Sequence, residues 1–159
     1  MKKLFVFFVV LVPLLLITGI ACGFVTGEGV VDHKAITGVR DGTSFEVLIN
    51  CPSDDGSPII VVSDKDLLYL FAAEEKHAII SDALVFEIES RYDRVNYVVN
   101  LAPVSSPGGG TQPYFTSREI FNQLRVGETA KFKADGSKGI PKMEKLIVDR
   151  SPVTSWGDK

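Results

Sequence analysis

Few side chains in this sequence could form a bond or hold a metal. The thiols are Cys22 and Cys51, the imidazoles His33 and His77, and the internal thioether Met143. Zinc or copper needs several such donors converging in space, and a local site shows itself as a closely spaced ligand pair. No two of these residues stand at such a spacing. The adopted reading is therefore no metal and no cofactor, with a periplasmic metal set of His33, Cys51 and His77 as the alternative. Asp54, Asp55, Asp64 and Asp66 could offer oxygens to Ca²⁺, but they lack the ligand order and glycine of an EF-hand loop. As part of Ser/Asp/Gly clusters they read as turn and helix-cap residues. Nucleophilic and hydrolytic signatures are absent: there is no Gly-x-Ser-x-Gly, no His-Glu-x-x-His and no Walker loop. Gly108-Gly109-Gly110 follows prolines and precedes no Lys-Ser/Thr, so it is a linker. No cationic cluster adjoins Cys51 to favour a thiolate. The expectation is a protein that is not an enzyme.

Cys22 raises a different chemistry. After Met1-Lys2-Lys3 the chain carries no charge from Leu4 to Gly27. A basic start, an apolar core (LFVFFVVLVPLLLI) and small residues near Ala21 are the parts of a secretory signal. Thr18-Gly19-Ile20-Ala21-Cys22-Gly23 resembles a bacterial lipobox, with Ala21 directly before the cysteine and Gly19 where Leu is usual. That resemblance implies a cut before Cys22 and a diacylglycerol on its thiol. Two other outcomes stay open: an ordinary cut after Ala21 or Gly23, or retention as an anchor, since roughly 20 apolar residues span a bilayer. Each places the rest of the chain outside the cytoplasm, in the periplasm or at the cell surface, with lipid or helix holding it to the membrane.

Without residues 1–22, 15 basic residues face 20 acidic ones, a net charge of −5. Such a domain is poorly suited to gathering polyanions, so nucleic acid is not an expected partner. The remaining stretch of about 137 residues fits one domain with its own core. With Cys22 acylated, Cys51 has no intrachain partner and no disulfide framework exists. A Cys22–Cys51 bridge is the alternative in an unlipidated protein.

The elements that must position any site are mostly strands. Residues 23–43 are rich in glycine and threonine and read as a tether and first-strand region. Phe45, Val47 and Ile49 then alternate on one face, and Cys51 to Pro58 breaks the strand before a β-branched run, 59–62. Residues 63–77 have the caps and spacing of a helix ending near His77. Leu84, Phe86 and Ile88 alternate, as do Val95, Tyr97, Val99 and Leu101, which predicts a β-hairpin around Ser90–Arg94. Three prolines and three consecutive glycines make 103–113 a loop. Thr116 and Glu119 have the spacing of a capping box for a short helix closed by Gly127. Strands at 129–134 and 143–148 follow, then a flexible tail, 151–159.

Five strands with a helix between the third and fourth is the OB layout. The segment QPYFTSREIFNQLRVGETAKFKADG (112–136), with its Leu124-Arg125-Val126-Gly127-Glu128 step, resembles the second half of OB-fold domains; a looser resemblance covers 79–149. It implies a mainly β, five-stranded OB-like barrel over 44–150 with one or two short helices. An immunoglobulin-like sandwich is the alternative. OB-folds bind ligands through aromatics mixed with basic residues. Arg91, Tyr92, Arg94 and Tyr97 supply that mixture on the expected hairpin, as a surface for a protein, a glycan or a lipid headgroup. The function expected is a membrane-tethered extracytoplasmic binding or interaction module.

Overall fold

The computed structural model describes residues 24–72, 75–104, 110–135 and 139–147. The signal segment with Cys22, and the tail 151–159, lie outside them. The elements are β1 (Phe24–Arg40), β2 (Thr43–Pro52), β3 (Pro58–Val62), a 3-10 helix (Lys65–Leu70), α1 (Asp82–Glu89), β4 (Arg94–Pro103), β5 (Gln112–Thr116), α2 (Arg118–Gln123), β6 (Thr129–Asp135) and β7 (Lys142–Leu146).

One long strand organises them. One edge of β1 pairs with β4 from Gly29 to Val39. Its other edge pairs first with β6, from Phe24 to Val30, and then with β2, from Lys34 to Arg40. The sheet order β3-β2-β1-β4-β5-β7-β6 therefore closes on itself through β1 and β6. The result is a five-stranded OB-like barrel of β1, β4, β5, β7 and β6, with β2 and β3 continuing from β1 as a two-stranded flange. All pairings are antiparallel except β5 with β7. The short helix α2 stands between the third and fourth barrel strands, as the resemblance implies. A single closed sheet forms, rather than two sheets facing each other.

Local chemistry explains the joints. Asp41 and Gly42 both adopt positive φ, 52° and 75°, the mirror-image turn whose twist matches the strands of a hairpin. Alternating Ala130, Phe132 and Ala134 in β6 are buried, as their spacing predicts. They belong to one continuous core with Val31, Val99, Leu101, Phe121 and Met143, which also takes in Leu48 of the flange and Leu67, Ala78, Ile80, Leu84 and Ile88. Glycine is needed where β1 passes large side chains. A Cβ at Gly27 would stand 2.5 Å from Phe132, and one at Gly38 would stand 2.4 Å from the Tyr92 ring.

Several expectations are corrected. The hairpin around Ser90–Arg94 does not form, because residues 82–89 are the helix α1. Leu84 and Ile88 alternate with their neighbours but are also four apart, so a helix buries both and turns Phe86 out, 72 % exposed. Ser81 caps it, its Oγ accepting the Leu84 N–H at 3.2 Å. The expected helix at 63–77 is a single 3-10 stretch ending at Leu70, so His77 does not end a helix. In β2 the register slips against β1 after Ile36, making Val47 an extra residue. Val47 and Leu48 are consequently both buried, while Ile49 pairs with Val61 and Ala35 on the opposite face from Leu48. Ser117, rather than Thr116, caps α2, and that helix stops at Gln123, before the Gly127 turn. Strand rather than tether begins at Phe24.

The Gly38 contact yields a test. Gly38→Ala forces the Tyr92 ring off the sheet and should destabilise the chain by about 1–3 kcal/mol, read as a lower urea midpoint. In the Tyr92→Ala background the same substitution should cost much less, since nothing stands over the added methyl.

Candidate functional site

The four residues expected to form a binding surface do not share one. Tyr92 lies in the turn between α1 and β4, over Gly38, with its ring 6.2 Å from Phe45. Its hydroxyl donates to Asp64 Oδ2 at 3.2 Å. Burial, and then the Asp64 charge, raise its pKa. Arg40 stacks over both rings, 5.2 Å from Phe45 and 5.8 Å from Tyr92. Arg91 is engaged by Asp66 at 3.1 Å and Glu87 at 3.8 Å. Tyr97 turns inward against Phe121, ring centroids 5.7 Å apart, and burial raises its pKa. Only Arg94 is fully on the surface. The cluster pins the α1–β4 corner to the sheet.

Nor are the candidate metal ligands gathered. His33 sits in β1 with Asp32 2.7 Å from its Nδ1, Cys51 is a half-buried free thiol in β2, and His77 lies in the irregular stretch before α1. Among the described residues, no three His, Cys, Asp or Glu side chains converge.

The chemically unusual group is one the sequence gives no sign of. Lys34, in β1 where the barrel and flange part, is 1 % exposed. Its ammonium donates to the carbonyls of Leu124 at 2.8 Å, Phe121 at 2.9 Å and Ala78 at 3.1 Å. The first two are orphan acceptors at the C-terminal end of α2, where the helix dipole favours a cation. The Phe121 ring lies 4.4 Å beneath it. Burial, then repulsion from Arg125, lowers the Lys34 pKa to about 8, with Glu128 acting in the opposite sense. All three N–H donors are occupied when it is charged, so its role is structural.

Two asparagines complete the same job. Asn50, fully buried, donates to the Ile59 carbonyl at 2.7 Å and that of Lys76 at 3.1 Å, and accepts the Ala78 N–H at 3.1 Å. Asn122 on α2 accepts the Ile80 N–H at 2.8 Å and donates to its carbonyl at 3.1 Å. Residues 76–80 are thus strapped across the flange by side chains instead of a ladder.

A cleft in the flange meets that strap at Lys76. Among the described residues β3 ends the sheet order, and the cleft, of about 460 Å³, lies beside it, lined by Ile60, Val62, Leu68 and Phe71 together with Ser53, Asp55, Ser57, Glu75 and Lys76. The bonds Ser53 N–H to Ser57 O and Ser63 N–H to Val47 O fix the phase of the β2–β3 ladder. Backbone alternation then turns the amides of Ile60 and Val62 away from β2. At one end Asp55 accepts from Ser53 Oγ at 2.6 Å and Ser57 N–H at 2.8 Å, which hold its carboxyl below the usual range. Sequence reasoning found the β-branched run but not its edge position; the Pro52 and Pro58 frame was the available signal, since proline favours edges.

No family model, curated protein or solved structure matches this chain.

Lys34 makes the stability pH-dependent in a defined direction. Folded Lys34 releases its proton near pH 8, whereas unfolded lysine holds it to 10.5. Between these values the unfolded chain binds more protons, so stability from this residue rises with pH. The charge-burial penalty is complete below pH 8 and relieved toward pH 10.5. Lys34→Met orphans three carbonyls and should cost on the order of 2–4 kcal/mol at pH 7. The gap in Tm between wild type and variant should widen from pH 7 to pH 10.

Proposed function

We propose that this chain is a membrane-tethered, extracytoplasmic interaction module: an OB-fold-type barrel behind a lipoprotein-type signal, held by a lipid on Cys22. Its partner is an extended protein segment that adds a strand to β3. The leader pattern supports the compartment. The observation that carries the binding mode is the strand Pro58–Val62, which ends the sheet among the described residues beside a cleft of mixed polar and apolar lining. Edge amides supply a ladder to any extended backbone, and neighbouring pockets select its alternate side chains. Five residues of β3 suit a short segment, and Ile59 and Val61 add exposed apolar area on the outer face. A protein segment is favoured over a glycan or lipid headgroup because β3 turns amides away from β2 at the spacing of an extended backbone.

Two measurements test this. Intact mass of the membrane-fraction protein should show a chain beginning at a diacylglycerol-modified Cys22; an unmodified or uncut chain removes the lipid anchor. Full-length protein should select extended, β-branched peptides from a random library, and those peptides should slow amide exchange at Ile60 and Val62. Ile60→Pro removes an amide that β2 does not use and should weaken them at least about tenfold. Binders indifferent to both readouts would exclude the β3 edge.

A further inference from the structure

The two ends of the barrel differ in chemistry. At the end where β1 begins, β4 finishes, β5 and β7 start and β6 finishes, as their registers require. The described connecting residues there, Pro103, Val104, Gly110 to Gln112 and Gly139 to Pro141, carry no charge, and the charges at this end are Asp135, where β6 finishes, and Lys142, where β7 starts. Val25 is 58 % exposed, Val104 51 % and Ile140 45 %, three apolar side chains grouped around one rim. Val25, Pro141 and the acidic Asp135 border a mouth of about 300 Å³ into the barrel, whose inner wall holds Tyr114 and Phe132 edge to face at 4.8 Å. The opposite end carries Arg40, Asp41, Arg91, Asp93 and Arg94, with the Asp41 N–H bonded to Asp93 at 3.1 Å.

A second observation says what covers the apolar rim. A single residue, Gly23, separates Cys22 from the first strand residue, Phe24. The uncharged run from Leu4 therefore continues in sequence directly into β1. Whether lipid on Cys22 or a retained apolar helix holds the chain, that attachment brings this rim, and not the opposite one, to the bilayer.

We infer that the β1-starting end of the barrel lies directly on the membrane, with Val25, Val104 and Ile140 entering the headgroup–acyl boundary. The occupant of this face is a lipid bilayer, and the inference rests on the membrane-tethered reading above. Exposed apolar side chains partition into that boundary, while the opposite end stays in water. The barrel then stands at a fixed attitude on the surface instead of swinging on a leash.

The test uses the full chain, processed in its membrane and reconstituted in nanodiscs, in a Trp156→Phe background so that one introduced tryptophan reports alone. Val104→Trp and Ile140→Trp should each lose on the order of half their emission when the acyl chains are brominated. Phe86→Trp, on α1 toward the opposite end, should keep its emission. Chain that stays with the nanodisc while neither rim position is quenched, or while Phe86→Trp is quenched as strongly, overturns the inference and leaves the anchor standing. Chain that washes off the membrane in alkaline carbonate overturns both readings.

Discussion

One ammonium joins parts of this chain that share no backbone ladder. Lys34 belongs to β1, Phe121 and Leu124 to the end of α2, and Ala78 to the strap over the flange; its three hydrogen bonds bring them to one point. The cost of burying that charge is visible in its lowered pKa. The compensation is that three carbonyls, each expensive to leave unpaired in the interior, are satisfied by a single side chain. A hydrophobic replacement fills the volume and abandons the acceptors. Asn50 and Asn122 extend the same solution, so the strap needs no regular structure of its own.

That knot sits where it does because β1 changes partner there. Up to Val30 its outer edge belongs to β6, and from Lys34 onward to β2. Between them, Val31 exchanges bonds with the turn before β6, its N–H to Glu128 and its carbonyl from Gly127. A barrel and a flange can share one strand only if the gap at their divergence is filled. Lys34 reaches into it, and α2 and residues 76–80 close over it. The arrangement leaves the inner face of the flange covered and, among the described residues, β3 at the end of the sheet.

How legible this was depended on whether period and burial agreed. In β4 and β6 they do, and alternation alone located both strands and their inward residues. Around Leu84, Phe86 and Ile88 a period of two and a spacing of four coincide, and only the Ser81 cap and the Glu87–Arg91 pair speak for the helix that forms. The first strand was obscured because glycine occupies positions where closure leaves no room: Gly27 under Phe132 and Gly38 under Tyr92 carry no hydrophobic signal. Asp41-Gly42 was a readable hairpin turn, and it marks where that strand ends. The Arg91–Tyr97 group has the composition of a surface, but Arg91, Tyr92 and Tyr97 are spent on neighbours and only Arg94 faces solvent. Lys34 had no signature, since nothing local distinguishes a buried lysine from a solvated one.

Because β1 runs antiparallel to β6, β4 and β2 alike, a pull applied at Phe24 acts along the strand axis. The load then falls on the bonds of three ladders together, in shear, rather than on one bond at a time as in unzipping. Forced unfolding is governed by the height of the barrier crossed under load. The strand that opens the described chain is thus also the one held by the most parallel resistance.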